Sequence, residues 1–370
     1  MSAPVTATAV VFGGPSPEYD ISVLTGLQAC RALAGRGPVT AILWSKAGDW
    51  YEVDPGAEGR DLEDVPPGAT PLRLVASPGQ GFVAPGRLGR DRPLDVGVVV
   101  NCCHGGPGED GSLQGALDLA GIRYTGPSAA GAALGMDKLA FGAAVVAAGL
   151  PSLPRLLLTR DTAPDFPGPY LVKPRYGGSS IGIDIVADME TATARLDANV
   201  HLRAGAVLEP YRPDSYDLNV AVRTWPAVQL SAIERPQRQA GDAEGILGYA
   251  DKYVGGEGMA SAPRELPADI PDATAERIRS MARAITGLAA VRGVARIDFL
   301  ADGDDLYVNE INTIPGSLSR YLFVDPPLPF EQLLADMVAE AEARPTTHYT
   351  TAGADGTALR SAGTIASKLG

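Results

Sequence analysis

The chain of 370 residues is 45% hydrophobic and 20% charged, a balance typical of a globular protein with two or three domains. Its formal net charge of -13 argues against nucleic acid or anionic membranes as main partners, because their phosphates would repel it. No apolar run could span a bilayer, the start lacks a secretory signal, and the three cysteines lack CxxC spacing, so we expect a cytoplasmic protein without disulfides, structural zinc or a membrane partner.

The first third of the chain alternates strand and helix signals in the manner of an α/β domain. A buried strand is predicted over residues 6–12, followed by a turn and a helix over 21–33 with Asp20 as its N-cap. Residues 54–93 are rich in Gly, Pro and Asp without a sustained period, which predicts a long, partly irregular insertion. The other elements predicted here are strands over 39–44 and 96–102 and a helix over 112–120.

The rest of the chain mixes helices with pairs of strands. Beyond Arg344 the composition shifts to Thr, Ala and Gly, which predicts a tail with at most a short helix. The predicted helices cover 138–148, 272–291 and 330–342, and the predicted strands cover 170–173, 181–186, 206–209, 218–222, 295–300 and 306–312.

Two strands near the C-terminus carry the sharpest chemical signal. Arg296 and Asp298 are two residues apart, as are Glu310 and Asn312, and side chains at i and i+2 of a strand share one face. The intervening DGDD predicts a turn, and a connection of three or five residues would place Asp298 opposite Glu310 and Arg296 opposite Asn312. Such oxygen ligands suit Mg²⁺, which proteins hold with one or two carboxylates and substrate phosphates. The alternative is a solvated sheet face with ordinary charges.

The segment VKPRYGGSSIG, at residues 172–182, predicts a phosphate-binding turn. Gly177 and Gly178 let the backbone approach a ligand, and the N–H groups together with Ser179 and Ser180 can surround phosphate oxygens. Lys173 ends the preceding predicted strand, in a chain that has only five lysines. The alternative is a plain glycine-serine turn that joins two strands.

Two further turns follow predicted strands of the N-terminal region. HGGPGEDGSLQG contains the GxGxxG spacing, but Glu109 and Asp110 would repel a pyrophosphate, so we reject a dinucleotide site there. GGPSPEYDIS places Glu18 at the carboxyl end of the first strand, the sheet edge where α/β proteins bind ligands. Glu18 could hold a substrate ammonium, and the alternative is a capping or solvated side chain. The chain has no GxxxxGK[ST] motif, which excludes a Walker-type P-loop.

Together these segments resemble the D-alanine–D-alanine ligase family of the ATP-grasp superfamily. Seven motifs occur in a consistent order between about Val10 and Glu342: GGPSPEYDIS, HGGPGEDGSLQG, YTGPSAAGAALGMDK, VKPRYGGSSIG, YADKYVGG, GVARIDF and VNEINTIPG. The resemblance implies an α/β ATP-grasp fold with an N-terminal α/β (preATP-grasp) domain, a central small α+β domain and a C-terminal α+β domain. We expect these domains at 1–136, 137–212 and 213–343, with a disordered tail at 344–370.

The resemblance also assigns roles to individual residues. Glu18, Ser179 and Tyr253 would form a hydrogen-bonded trio that holds the ammonium of the first amino acid, and His104 would contact its carboxylate. The residues implied for ATP are Lys138, Lys173, Ser179, Ser180 and Lys252 at the phosphates, Glu209 at the adenine and Asp217 at the ribose. Those implied for the metal are Asp298, Glu310 and Asn312, which would bind two Mg²⁺ ions, with Mn²⁺ as a substitute.

These assignments imply an ADP-forming ligase that activates one amino acid as an acyl phosphate and joins it to the amine of a second. Arg296 and the Gly316 N–H would stabilise the oxyanion. At the acceptor site this chain has Tyr321 and Leu322 where the family has serine and leucine. The acceptor is therefore either D-alanine, giving D-alanyl-D-alanine for the peptidoglycan cell wall, or another compound selected by Tyr321. A further alternative is a regulatory protein that binds ATP without catalysis, and we also expect a homodimer.

Overall fold

The computed structural model describes residues 7–86, 90–237, 263–344, 346, 350–362 and 365. No helix in this part of the chain has both the length and the apolar character needed to cross a membrane. The helices are α1 (Tyr19–Leu33), α2 (Gly106–Glu109), α3 (Ser112–Ala120), α4 (Ala129–Met136), α5 (Lys138–Ala147), α6 (Met189–Ala198), α7 (Asp272–Leu288), α8 (Phe330–Ala343) and α9 (Thr357–Ser361).

The N-terminal region forms an eight-stranded sheet in the order β6-β5-β4-β3-β2-β1-β7-β8. The central strand β1 is parallel to β2 and to β7, and its residues 9–12 are fully buried because α1 packs on one face of the strand and α3 on the other. The strands are β1 (Thr8–Gly13), β2 (Val39–Trp44), β3 (Trp50–Val53), β4 (Thr70–Val75), β5 (Gly81–Ala84), β6 (Arg92–Pro93), β7 (Val98–Asn101) and β8 (Arg123–Tyr124).

One sequence expectation for this region is incomplete, and one is wrong. Residues 54–93 are partly irregular, as expected, but β4, β5 and β6 within them extend the sheet as antiparallel strands. Leu72 and Phe82 are buried there, so tertiary contacts supply the burial that the short, turn-rich pattern did not reveal. Asp20 is not the N-cap of α1: the helix begins after Glu18, and Asp20 lies in its first turn, where a carboxylate favourably meets the helix dipole.

The remaining strands form two smaller antiparallel sheets, in the orders β11-β10-β12-β9 and β15-β14-β13-β16-β17. The third sheet packs on α5 and α7 through a core that includes Phe141, Ile278 and Phe299. The strands are β9 (Leu156–Leu157), β10 (Tyr170–Pro174), β11 (Asp184–Val186), β12 (Ala206–Pro210), β13 (Tyr216–Arg223), β14 (Gln229–Pro236), β15 (Arg264–Glu265), β16 (Val294–Asp302) and β17 (Asp305–Asn312). Each sheet therefore lies within one of the three predicted domain ranges.

Candidate functional site

The strand pair β16–β17 brings the predicted metal ligands to one place. Asp298 pairs with Glu310, and Arg296 pairs with Asn312, which confirms the predicted register. The predicted connection of three or five residues is wrong, because the turn has two residues and a bulge at Asn309 supplies the missing one. Without this bulge Asp298 would pair with Asn309, and a one-residue slip would turn Glu310 to the opposite face of the sheet.

A row of polar side chains crosses the third sheet at this level. Glu234 of β14 pairs with Asn219 of β13, Asn219 pairs with Asp298, and Asp298 pairs with Glu310. Asn219 Nδ2 donates to Glu234 Oε2 at 3.2 Å, and Arg264 Nη1 lies 2.8 Å from Glu234 Oε1. Burial raises the pKa of Glu234, against the lowering effect of Arg264. The sequence did not predict that Glu234 and Arg264 belong to this site, because the two residues lie far apart in the chain and only the pairing of β14 with β15 brings them together.

Cations balance the two carboxylates of the predicted metal site. Arg296 Nε and Nη2 donate to the two oxygens of Asp298, both at 2.7 Å, and Asn312 Nδ2 donates to Asp298 Oδ2 at 3.0 Å. Lys138 Nζ lies 3.3 Å from Glu310 Oε2. Within the described ranges, no group of three or more His, Cys, Asp or Glu side chains could hold a metal. At the predicted metal site the paired strands bring together two carboxylates, Asp298 and Glu310, and the amide of Asn312. This oxygen donor set fits an Mg²⁺ ion that also takes phosphate ligands.

The second sheet adds a buried ion-pair cluster. Lys173 Nζ lies 2.7 Å from Glu209 Oε2, and Arg155 Nε lies 2.6 Å from Glu209 Oε1. The Glu209 side chain is only 1% exposed. Burial by itself acts to raise the pKa of Glu209, but Lys173 and Arg155 hold that pKa below its usual value. Arg155 was not predicted as a site residue, because a single arginine after a proline-rich turn carries no sequence signal of its partner.

A cleft between the second and third sheets brings together most of the residues expected to meet ATP and metal. Its walls include all the expected ATP contacts that the structure describes except Ser179, and two of the three expected metal ligands. The expected residues that line it are Lys138, Lys173, Ser180, Glu209, Asp217, Arg296, Asp298 and Glu310. The predicted contacts Lys252 and Tyr253 lie outside the described residues.

The residues expected to bind the first amino acid surround a small adjoining cavity. It is lined by Glu18, His104, Glu109, Ser179, Arg296, Glu310, Asn312, Ile314 and Gly316. Ser179 Oγ donates a short hydrogen bond to Glu18 Oε1, which joins the predicted pair directly. The backbone at Ser179 and Ser180 is left-handed, with φ of 53° and 59°. Such conformations are strained for non-glycine residues and concentrate at ligand sites.

Two buried side chains of the N-terminal region hold the loop that follows β17. His104 Nδ1 lies 2.6 Å from the Ile314 carbonyl oxygen, and His104 Nε2 lies 2.8 Å from Thr25 Oγ1. Thr25 Oγ1 also accepts from the Ser317 N–H at 3.1 Å. Burial lowers the pKa of His104 to about 4, so the ring is neutral at pH 7. His104 thus lines the small cavity expected to hold the first amino acid, and it also positions the loop that carries Gly316.

Glu109 is the second side chain that holds this loop. It accepts from the Ile314 N–H at 2.8 Å and from the Gly105 N–H at 2.9 Å. Burial and then the Glu18 carboxylate raise the pKa of Glu109 to about 7. Glu109, which the sequence indicated only as a group that would repel a pyrophosphate, is thus part of this site. The motif HGGPGEDG was the available signal, but the backbone partners could not be seen in it.

The expected acceptor residues lie on the turn after Gly316. Leu322 is fully buried in the core, so its side chain lies away from the cleft. The Tyr321 ring lies under the guanidinium of Arg264, with 4.4 Å from Arg264 Cζ to the ring centroid. Ser317, Leu318 and Ser319 are all left-handed, with φ of 48° to 49°. Each such residue costs about 1–2 kcal/mol, so the packing of this turn holds it in a strained form.

Most of the chain is similar to known proteins. The family model described as D-ala D-ala ligase N-terminus matches residues 7–127, and the model described as D-ala D-ala ligase C-terminus matches residues 158–339. A D-alanine–D-alanine ligase from Bradyrhizobium sp. (strain ORS 278) is 31% identical, over 91% of this chain and 95% of that protein. A D-alanine–D-alanine ligase from Mycobacterium tuberculosis (strain H37Rv) is 33% identical with the same coverage of 91% and 95%.

Solved structures with a similar fold are more distant in sequence. The D-alanine–D-alanine ligase from Coxiella burnetii has a TM-score of 0.76 at 23% identity, over 92% of this chain and 95% of that one. The VanG D-Ala:D-Ser ligase from Enterococcus faecalis has a TM-score of 0.75 at 24% identity, over 91% of this chain and all of that one. At these identities the likeness concerns the fold.

Proposed function

The chain belongs to the D-alanine–D-alanine ligase family, and from this premise we propose that it is an ADP-forming ligase that joins two D-amino acids. One observation carries the proposal: the cations Lys138, Lys173 and Arg296 and the carboxylates Asp298 and Glu310 line one cleft. Phosphoryl transfer needs this combination, because cations and a metal must offset the charge of the transferred group.

The chain's own residues suit the two chemical steps. Glu18, held by Ser179, would bind the ammonium of the first D-alanine, whose carboxylate then attacks the γ-phosphorus of ATP, so that ADP leaves and an acyl phosphate forms. Lys138 and Lys173 would hold the phosphates. Bound Mg²⁺ would supply Lewis-acid stabilisation of the phosphates, with Asp298, Glu310 and Asn312 as its ligands.

In the second step the amine of the acceptor attacks the acyl carbon, and phosphate leaves. Arg296 and the Gly316 N–H would meet the developing oxyanion, a role worth about 3–4 kcal/mol for one donor in comparable sites. The His104 and Glu109 contacts to Ile314 support this role, because they fix the loop that carries Gly316. We also propose that the site binds two Mg²⁺ ions, which Mn²⁺ can replace. The protein is further proposed to be a cytoplasmic homodimer with domains at 1–136, 137–212 and 213–343.

The test measures ADP release and dipeptide by mass spectrometry with D-alanine as the only amino acid. We expect ADP and D-alanyl-D-alanine in equal amounts, with Mg²⁺ required and L-alanine inactive. Glu310→Gln should lose most of the rate, whereas Glu331→Gln, an exposed site on α8, should retain it. ATP binding without ADP release under any amino acid would refute the proposal and favour a regulatory protein.

A second candidate function is a ligase for another acceptor. It is supported by Tyr321, whose ring is packed under Arg264 where the family has a serine. A phenol ring cannot occupy the place of a serine side chain without displacing the ligand that the serine would hold. In the same assay, no rate with D-alanine alone but a rate when a second amino acid or amine is added would decide for this candidate.

A further inference from the structure

Arg155 joins three elements that surround the cleft, although none of the motifs contains it. It lies between α5 and β9, and its side chain is 5% exposed. Its Nε lies 2.6 Å from Glu209 Oε1 on β12, and its Nη1 donates to the carbonyl of Lys138, the first residue of α5, at 3.1 Å. Its Nη2 donates to the carbonyl of Asn309, the bulge residue of β17.

The charge balance around Glu209 explains why an arginine is needed there. Glu209 is almost completely buried, and a buried carboxylate that loses its cation is strongly destabilised. In the present structure Lys173 and Arg155 share this carboxylate, one at each oxygen. Lys173 is also the residue expected at the phosphates of ATP. If it were the sole partner of Glu209, its transfer to a phosphate would leave the buried carboxylate unpaired.

We infer that Arg155 is a positioning residue for ATP: it is the permanent counter-ion of Glu209 and thereby frees Lys173 to move from Glu209 to the nucleotide phosphates. The inference rests on the proposed function for the presence of ATP in the cleft. The contact of Arg155 with the Lys138 carbonyl holds the start of α5, and its contact with Asn309 holds the bulge that turns Glu310 toward the cleft.

The helix α5 leaves room for the Arg155 side chain because it has a glycine at the position that faces it. Gly142 of α5 faces the arginine, and a Cβ added there would lie 2.8 Å from Arg155 Cδ and 3.1 Å from Arg155 Nη1. Gly142→Ala therefore displaces the arginine while its charge is kept. Gly115→Ala, on α3, is the matched control, because nothing apart from its chain neighbours and the backbone of its own helix lies within 4 Å of the added Cβ.

The test compares the dissociation constant of Mg·ATP for the full chain and its variants by titration calorimetry, with unfolding temperatures recorded in parallel. Arg155→Met should weaken ATP binding by roughly tenfold or more, the equivalent of about 1.4 kcal/mol, because Lys173 stays with Glu209. Arg155→Lys should restore most of the affinity, and Gly142→Ala should weaken it while Gly115→Ala should not. The KM for D-alanine should stay close to that of the parent.

A cycle with Glu209→Gln separates this role from a purely structural one. A neutral amide needs no counter-ion, so Arg155→Met added to Glu209→Gln should cause a much smaller further loss of ATP affinity than Arg155→Met causes in the parent, leaving only the loss of the contacts with the Lys138 and Asn309 carbonyls. The double variant should fold even where Arg155→Met alone does not. An equal loss in both backgrounds, or unchanged affinity in a folded Arg155→Met protein, would overturn the inference. Absence of Mg·ATP binding by the parent protein would instead refute the proposed function.

Discussion

Glu109 should make the stability of the folded protein depend on pH in the sense opposite to that of an ordinary carboxylate. Its pKa is raised from 4.5 to about 7, first by burial and then by Glu18. Between these values the native state holds a proton that the unfolded chain releases, so this stabilisation is complete below pH 4.5 and is lost as the pH rises through 7. At about 1.4 kcal/mol for each pKa unit, the contribution amounts to roughly 3 kcal/mol.

His104 acts in the opposite sense in the same region of the fold. Burial lowers its pKa from 6.5 to about 4, so the unfolded chain binds a proton that the native ring does not. The resulting stability is present above pH 6.5 and is lost as the pH falls through 4. Between about pH 4.5 and pH 6.5 the two groups change the unfolding free energy in opposite directions, and in the parent protein these changes nearly cancel. Removal of either group should therefore reveal the pH dependence that the other one causes.

Glu109→Gln removes the titrating carboxyl group, and urea unfolding at half-unit steps from about pH 4.5 to pH 7.5 measures the consequence. The unfolding free energy of the variant should rise relative to the parent by about 3 kcal/mol across this range. Any lost hydrogen bond to Gly105 adds a constant offset that does not change with pH. Glu331→Gln, at an exposed position, should show no such slope. A difference between Glu109→Gln and the parent that stays constant within about 1 kcal/mol would refute the assignment of a raised pKa.

Three further predictions concern packing and charge. Gly26→Ala in α1 should destabilise the protein by about 1–3 kcal/mol in urea unfolding, because its Cβ would lie 2.3 Å from ring atoms of Phe12 in the core. Gly115→Ala in α3 should instead stabilise it by up to about 1 kcal/mol, since the space is open and alanine favours a helix; a loss of stability would contradict this. Asp298→Asn should lower the unfolding free energy by about 3 kcal/mol, because it removes the carboxylate charge that lies 2.7 Å from buried Arg296, and a loss below about 1 kcal/mol would contradict this.

Local patterns determined the elements that bear the chemistry. The two-residue spacing of Arg296 and Asp298, and of Glu310 and Asn312, fixed which side chains share a face, and the structure confirms their pairing. The period of strand side chains does not depend on the rest of the fold, so this inference needed only the sequence. The motif order likewise indicated the family along most of the chain, which the family models confirm.

The sequence could not determine how that register is produced. A two-residue turn would misplace Glu310, and only the bulge at Asn309 corrects it. Nothing in the local pattern distinguishes this bulge from a longer turn, because both insert one residue. The strands β4 to β6 were missed for a related reason: their burial comes from neighbours elsewhere in the chain rather than from their own periodicity.

The residue types and spacings available for phosphate, metal and amino-acid binding can be read from the chain alone. Which charges meet depends on the folded molecule, since Glu209 pairs with Arg155 and Lys173, and Glu109 with the backbone of Ile314, across long separations in the chain. The physical reason is that an ion pair or a pKa depends on distance and burial in three dimensions, which a linear pattern does not contain.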